Sequence, residues 1–353
     1  MWLVSPRSLA VAARRTLPPM RLTLVRYRVL AATSLVAVFM YVDRACLGQV
    51  IGDVQKELHL ADWQKDLALG SFFFSYAVVQ VFAGALALRF GLRHTFAVLL
   101  FLWSAFTVMT GLATGFGVLL ASRLLIGASE AGAYPIAATL VRNWFPLPAR
   151  GVANSVVAFG GRLGGALSML LTPVLVGAFA AYSLNAHGAL AGGMISGPTY
   201  DPAASGWRQP LQLFGYLGMG YSVVYWFLAR DSATQHPRAN AAEAELVPHP
   251  ASGGPAPFPW VPLLKSVNLW FSGLTQFCIN IGWAFLLTKL GEYLEKGHGL
   301  TGADKGLWSS LPLFVGLAGM FAGGFVTDVL SRRWGLRWGR AIPIGVSLFV
   351  SAG

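Results

Sequence analysis

Charge is scarce in this sequence, because Asp, Glu, Lys and Arg make up only 11% of the 353 residues. Cysteine is scarcer still: Cys46 and Cys278 are the only two, and two thiols exclude a disulfide framework. The six histidines show no ligand spacing, so we predict no metal site and no cofactor. A Ser/His/Asp arrangement and a nucleotide-binding motif are also lacking, which argues against an enzyme.

Apolar residues are abundant instead: 55% of the chain is hydrophobic, and its mean hydropathy is +0.59. This composition is too apolar for a soluble fold of this size and predicts an all-α polytopic membrane protein. Apolar runs long enough to cross a hydrocarbon core of about 30 Å recur along the chain. The predicted spans are 29–48, 67–88, 95–114, 117–141, 150–180, 210–229, 267–290 and 306–327, with a ninth beginning near Arg340.

The net charge of +12 raises the possibility of nucleic-acid binding, but the placement of the charge excludes it. Basic residues are concentrated in the N-terminal tail and in alternate loops, which contain Arg89, Arg142 and Arg332 among others. The positive-inside rule therefore predicts a multi-pass protein with a cytoplasmic N-terminus. We expect it in the inner (plasma) membrane of a bacterium. The intervening polar segment 49–66 is expected to be an outer loop.

The chain divides into two blocks around a polar segment. We predict a cytoplasmic tail at 1–25, a six-helix half at 26–230, a cytoplasmic linker at 231–262 and an incomplete half of about three helices at 263–353. The linker is rich in Pro, Ala, Gly and charge and cannot bury a core. Segment 181–209 is expected to be a second loop. Because an odd number of spans ends within an apolar run, we expect the chain to be truncated, and Met20 is an alternative start.

A weak internal repeat supports this division. The segment GALALRFGLRH (84–94) follows the second span, and GGFVTDVLSRR (323–333) follows the eighth. These segments resemble the G-x-L-x-D-R-x-G-x-R motif that both halves of the major facilitator superfamily carry, although Leu88 stands where the first copy has Asp. The resemblance implies gating loops on the cytoplasmic side, with these matching residues: Gly84, Arg89, Gly91 and Arg93 in the first copy and Gly324, Asp328, Arg332 and Arg333 in the second.

Charged residues inside the predicted spans need an explanation, because each costs roughly 2.5–3.5 kcal/mol at a helix centre. Arg123 and Glu130 are seven residues apart and share one face of the fourth span. The first span adds Asp43 and Arg44, and the fifth adds Arg162 within GGRLGG. We expect these five side chains to line an interior cavity or to pair with one another. A surplus arginine in such a cavity is suited to bind a carboxylate.

Four further stretches sharpen the resemblance: YVDRACL (41–47), RLLIGASEAGAYP (123–135), NWFPLPARGVANS (143–155) and CINIGWAFLLTKLGEYL (278–294). They are similar to the anion:cation symporter family, which contains sialin and the bacterial hexuronate, galactonate and glucarate permeases. The resemblance implies that Asp43 and Glu130 couple protons to transport. It also implies that the anion is bound by these residues: Arg44, Tyr76, Arg123 and Arg162.

Asn280 on the seventh span could reach the same cavity from the second half. The seventh span also departs from the family, with Lys289 and Gly291 where Trp and Pro are common. The resemblance therefore does not assign the residues of its outer gate.

The sequence thus predicts a secondary active transporter that moves a small organic carboxylate with protons by alternating access. The expected partners are the anion, protons and the lipid bilayer, with no nucleic acid, and the expected state is a monomer. The alternative is a truncated, non-transporting membrane protein or receptor, in which the buried charges only hold helices together.

Overall fold

The computed structural model describes residues 23–191, 206–247, 262 and 264–351. Within these ranges the chain folds into α-helices and two short 3₁₀ turns, with no β-strand. The helices are α1 (Val25–Glu57), α2 (Asp62–Phe90), α3 (Leu92–Gly111), α4 (Phe116–Glu130), α5 (Ala133–Trp144), α6 (Arg150–Ala191), α7 (Arg208–Leu228), α8 (Ala241–Glu245), α9 (Val267–Thr288), α10 (Leu290–His298) and α11 (Gly302–Ser351).

Seven described helical segments are long and apolar enough to cross a membrane, so the prediction of an integral, all-helical membrane protein is confirmed. They correspond to the first five predicted spans and to the seventh and eighth. The sixth predicted span forms α7, but α7 is not among the seven because its glycines, tyrosines and glutamines lower its mean hydropathy. The ninth forms a shorter apolar helix, Ala341–Val350, beyond a break at Gly335 (φ 77°) within α11.

The predicted outer loop at 49–66 is wrong in extent, because α1 continues to Glu57 and α2 already begins at Asp62. Polar side chains close the short connection. The Gln55 amide donates to the Leu60 carbonyl at 3.2 Å and to Asp62 Oδ1 at 2.9 Å, while Gln64 Oε1 accepts the Ala61 N–H at 2.9 Å. These bonds satisfy groups at two helix ends that would otherwise lack partners, so the polar composition marks helix ends here.

Two other boundaries also differ from the sequence prediction. The fourth span is interrupted, because α4 ends at Glu130 and α5 begins at Ala133. The expected loop at 181–209 is wrong in its first part, since α6 continues to Ala191, where alanine and leucine favour helix. Residues 192–205 of that expected loop lie outside the described residues.

Helix α1 lies at the centre of the packing. In its most apolar 18-residue window 72% of the residues are buried, against 11% in α9, so α1 is enclosed by protein and α9 is exposed on most of its surface. Helix α6 approaches α1 closely at Gly160 and Gly164, where an added side chain would overlap the backbone of Ser34 or Val38. Small residues permit this approach between membrane helices. Of the two thiols, Cys46 on α1 is buried and Cys278 on α9 is exposed.

Candidate functional site

A buried ion pair joins α1 to the end of α4. Arg44 Nη2 lies 2.6 Å from Glu130 Oε2, and Arg44 Nε donates to the same oxygen at 3.1 Å. Glu130 is fully buried, and only 6% of Arg44 is exposed. Removing one member of such a pair leaves an uncompensated charge in a dry environment, which typically costs about 3–5 kcal/mol. The break between α4 and α5 begins directly after Glu130.

Aromatic rings surround the Arg44 guanidinium. Its central carbon lies 4.9 Å from the Tyr41 ring centroid, 4.7 Å from that of Phe72 and 5.0 Å from that of Tyr76. Cation–π attraction of this kind is strongest where water is excluded. Tyr76 is half-buried, so it forms part of the wall between the buried ion pair and accessible space.

Arg123 is also buried, but Glu130 is not its ion-pair partner. The guanidinium of Arg123 lies 4.9 Å from the Phe72 ring centroid, so the same ring contacts both buried arginines. Among the described residues, no carboxylate lies within 4.0 Å of Arg123, and its Nε has no hydrogen-bond partner. Both residues are buried on α4, yet Glu130 pairs with α1 instead.

Asp43 lies beside Arg44 in the sequence but faces other residues. It is 1% exposed and interacts with Ser104 of α3 and Arg123 of α4. Neither carboxylate oxygen has a hydrogen-bond partner within the described part of the chain. A buried carboxylate without hydrogen bonds is costly when ionised, which is typical of a group that exchanges a proton.

Arg162 of α6 occupies the half-buried side of this cluster, together with residues of the second half. Its Nη1 lies 2.9 Å from Met320 Sδ, and its guanidinium lies 5.7 Å from the Trp283 ring centroid. The Trp283 ring is 6.1 Å from that of Tyr41, which in turn contacts Arg44. The two arginines are therefore linked through Tyr41 and Trp283.

Other predicted site residues have more peripheral positions. Asn280 is exposed on α9, about one turn before Trp283. Phe72 and Met320 were not predicted, although Phe72 precedes Tyr76 by one helical turn and stacks on it with ring centroids 5.9 Å apart. That spacing was a usable signal for Phe72. Met320 carries no comparable signal.

Two ion pairs join the two halves at the end of the molecule where α1 ends: Lys65 Nζ lies 2.7 Å from Glu292 Oε1, and Lys289 pairs with Asp66. A third pair lies within the second half, where Lys305 Nζ is 2.7 Å from Glu295 Oε2 beside a cavity of about 390 Å³. That cavity is lined by α1 residues as well as by α10. Burial acts to raise the pKa of Glu292, but the hydrogen bonds from Lys296 and Lys65 prevail and lower it to about 2.

The first predicted gating loop lies at the opposite end. Gly84 is half-buried on α2 and Arg89 is exposed near the end of that helix. Gly91 has φ +86°, a conformation that favours glycine, and it turns the chain from α2 into α3.

A carboxylate from the linker reaches this turn. Asp231 accepts the backbone N–H groups of Leu92 at 3.0 Å and Arg93 at 2.7 Å, so it caps α3. Leu88, which replaces the family's Asp, is exposed. In the second copy Gly324, Asp328 and Arg332 lie on α11, and their side chains are outside the described residues.

A family comparison now identifies the chain. The model of the Major Facilitator Superfamily matches residues 33–353. The chain belongs to this superfamily. The match covers both halves and the linker.

Curated relatives of this chain are anion transporters by name. It is 28% identical to a probable sulfoacetate transporter of Cupriavidus necator, over 92% of this chain and 70% of that protein. It is also 28% identical to the hexuronate transporter of Bacillus subtilis, over 90% of this chain and 69% of that protein. A probable galactarate/D-glucarate transporter of Escherichia coli is 27% identical, over 93% and 72%. These relatives confirm the resemblance to the anion:cation symporter type and the expectation that the protein is not an enzyme.

Solved structures agree on the fold. A bacterial homolog of the human lysosomal transporter Spinster, in an inward-facing and occupied conformation, superposes with a TM-score of 0.67 at 23% identity, covering 88% of this chain. This chain spans 63% of the length of that protein. A D-xylose-proton symporter superposes with a TM-score of 0.53 at 14% identity, covering 86% of this chain and 69% of the other. These structures support the fold, and the curated relatives favour a transporter over a non-transporting membrane protein or receptor.

Proposed function

We propose that the protein is a secondary active transporter that carries a small organic anion together with protons by alternating access. The observation that carries the proposal is the half-buried Arg162, which faces Met320 and Trp283 instead of an acid among the described residues. The ionic residues of the site are three arginines and two carboxylates, which leaves one positive charge when all are ionised: Arg44, Arg123, Arg162, Asp43 and Glu130. An anionic substrate would neutralise that charge.

The Arg44 and Glu130 pair supplies a route for proton coupling. A substrate carboxylate that approaches Arg44 competes with Glu130 for the same guanidinium. Glu130, once displaced in a dry site, is stabilised by taking up a proton, because an isolated buried carboxylate is very costly. Substrate and proton would then bind together. Asp43, whose oxygens have no hydrogen-bond partner in the described chain, is our candidate for a second proton carrier.

Alternating access requires two bodies that rock against each other. We propose residues 26–230 and 263–353 as these bodies, joined by the cytoplasmic linker 231–262, with the N-terminus in the cytoplasm. Under this orientation the Lys65–Glu292 and Lys289–Asp66 pairs hold the outer side closed. The site would therefore open towards the cytoplasm. We also propose that the protein is a monomer in the inner membrane of a bacterium.

The direct test is uptake into proteoliposomes under an inwardly directed proton gradient. The labelled probes are D-glucarate, glucuronate and sulfoacetate, chosen from the substrates named for the relatives. We expect uptake of at least one probe that depends on the gradient and collapses with a protonophore. Absence of uptake for all three, with protein that binds none of them, would reject an organic-anion transporter of this kind.

Two variants connect uptake to the site. Arg44→Gln and Glu130→Gln should each lower uptake by roughly 100-fold, because truncating one member of a buried charged pair costs about 2–5 kcal/mol. The matched controls are Arg142→Gln and Glu245→Gln, which change exposed residues near the cytoplasmic end and should transport normally. Normal uptake by both site variants would show that the protein transports the probe but that Arg44 and Glu130 are not part of its site.

A further inference from the structure

A groove on the lipid-facing surface between α3 and α7 combines an apolar floor with arginines at one end. Its volume is about 360 Å³, within the range of small-molecule sites. The floor includes Phe101 and Leu102 of α3 and Val223 and Phe227 of α7. Phe101 is 42% exposed and Phe227 is 70% exposed, so no described helix covers the groove.

Two arginines stand at the end of this groove. The Arg93 guanidinium lies 4.8 Å from the ring centroid of Trp226, which is itself part of the groove wall. Arg230 Nη1 donates to the carbonyls of Phe227 at 3.2 Å and Ala229 at 2.7 Å. The contact of Arg93 with Trp226 and the hydrogen bonds of Arg230 place both guanidinium groups beside the last turn of α7.

The positive charge at this end is only partly neutralised. Arg93 and Arg230 both contact Trp226, since Arg93 lies over its ring and Arg230 Nη1 donates to its carbonyl at 3.3 Å, so the two positive charges lie near each other. Asp231 attracts Arg93, but its two oxygens already accept the backbone N–H groups of Leu92 and Arg93. Arg93 Nε is buried and has no hydrogen-bond partner among the described residues. A further acceptor with negative charge would therefore be favourable here.

The depth of the parts matches the shape of a phospholipid. Arg93 is the second residue of a spanning helix and Arg230 lies just beyond the end of α7, so both are at a membrane interface. Phe101 follows Arg93 by eight residues, which places it about 12 Å deeper along α3. Cations at headgroup level are thus continuous with an apolar channel at acyl-chain level.

We propose that this groove binds one anionic phospholipid, whose phosphate contacts Arg93 and Arg230 and whose acyl chain lies against Phe101 and Phe227. Basic pockets between spanning helices bind anionic headgroups in this way, and guanidinium groups match phosphate oxygens with two bonds. A zwitterionic lipid fits less well, because its own cation offsets the phosphate. The groove is separate from the buried cluster around Arg44 and Glu130, so the proposal does not depend on the transported substrate.

Native mass spectrometry of the purified full-length chain tests the proposal. The protein is mixed with phosphatidylglycerol or phosphatidylcholine of the same acyl chains. We expect one phosphatidylglycerol to be retained preferentially by the wild type. The double variant Arg93→Gln/Arg230→Gln should bind it roughly 30-fold more weakly, since each arginine near an anionic headgroup contributes about 1 kcal/mol. Arg142→Gln is the matched control and should bind as the wild type does.

Two further arms separate headgroup from acyl recognition. Val223→Trp fills the groove and keeps both arginines, so it should also lose the retained lipid. Glycerol phosphate, which has the headgroup charge without acyl chains, should not compete at equal concentration. Arg93→Lys/Arg230→Lys keeps the charge and should bind more tightly than the glutamine pair, which also guards against a folding defect. Equal retention of both lipids by the wild type would overturn the proposal. Unchanged phosphatidylglycerol binding by Arg93→Gln/Arg230→Gln and by Val223→Trp would also overturn it.

Discussion

The two ends of the molecule are held together by different kinds of bond. At the end of the molecule where α1 ends, lysines of each half pair with carboxylates of the other half, as in Lys65–Glu292 and Lys289–Asp66. At the other end, linker carboxylates accept backbone N–H groups within the first half. Glu243 accepts those of Val25 at 3.1 Å and Arg26 at 2.9 Å, and Thr23 also donates to it.

The ion pairs between the halves are contacts that can open, whereas the Glu243 cap fixes the linker to the first half. The Lys289–Asp66 pair joins partly exposed side chains and contributes little to stability, about 0–1 kcal/mol, so it can break during a transport cycle. Lys65 is 3% exposed, but Asp62 is a second partner for it when Glu292 moves away. A buried carboxylate at a helix N-terminus contributes about 1–2 kcal/mol and leaves unpaired N–H groups when it is lost. Glu243 is 1% exposed, which makes its cap the more durable connection.

The largest effect on stability is expected for the Arg44–Glu130 pair, which lies between the two ends and is buried. Arg44→Gln should lower the free energy of unfolding by about 3–5 kcal/mol, because Glu130 is then buried without a partner. The measurement is the unfolding midpoint in detergent, with Arg142→Gln as control. Adding Glu130→Gln to Arg44→Gln should recover part of the loss. If the double variant is as unstable as the sum of the single ones, the pair is not coupled.

Next in size is the cap at the linker. Glu243→Ala should destabilise the first turn of α1 by about 1–2 kcal/mol, since its N–H groups lose a charged acceptor. Hydrogen exchange should therefore rise at Val25 and Arg26 and stay unchanged at residues near Lys65. Glu245→Ala, on the exposed side of the same helix, is the control. Unchanged exchange at α1 would contradict a clamping role for the linker.

The ion pairs across the two halves should affect conformation as well as stability. Glu292→Ala should increase the population that is open at this end, because the buried Lys65 loses its partner on α10 and keeps Asp62. A cysteine at Gln49, which lines the cavity at this end, would report this as faster labelling by a membrane-impermeant reagent, with the exposed Cys278 replaced by serine. Glu292→Gln, which keeps the size and removes the charge, should label as fast as Glu292→Ala. Slow labelling in Glu292→Gln would show that the attraction itself is not what closes this end.

The smallest effect is a pH dependence at the same end. The folded pKa of Glu292 is about 2, below the unfolded value of about 4.3, so its pairing stabilises the protein above about pH 4.3 and is lost as pH falls towards 2. The unfolding midpoint of the wild type in detergent should thus fall between about pH 4 and pH 2. Glu292→Gln should lack this component. Identical pH profiles in both proteins would assign the loss of stability to other carboxylates.

Sequence reasoning located most helices and the main ionic residues because both follow from the cost of polar groups in a bilayer. An apolar run such as 95–114 predicts α3 closely, since hydropathy alone determines it. The convergence of Arg44 and Glu130 was expected for the same reason. Their roles in transport remain a prediction.

Ion-pair partners and helix ends could be predicted less well from the sequence. Spacing along the fourth span placed Arg123 and Glu130 on one face, but the break after Glu130 lets this carboxylate turn to α1. Helix length past the membrane was also missed: α1 extends to Glu57 through polar residues, which hydropathy cannot distinguish from a loop. The cap that Asp231 provides joins positions far apart in the sequence, and no local pattern signals it.

The unequal environments of the two thiols give the protein a built-in reporter. Cys46 is enclosed by α1 and its neighbours, so only Cys278 is open to a small methanethiosulfonate spin label. Adding one further cysteine on an exposed residue of the first half, such as Val98, would create a labelled pair without removing any native residue. Pulsed electron resonance on that pair would then follow the separation of the two halves as a molecular ruler.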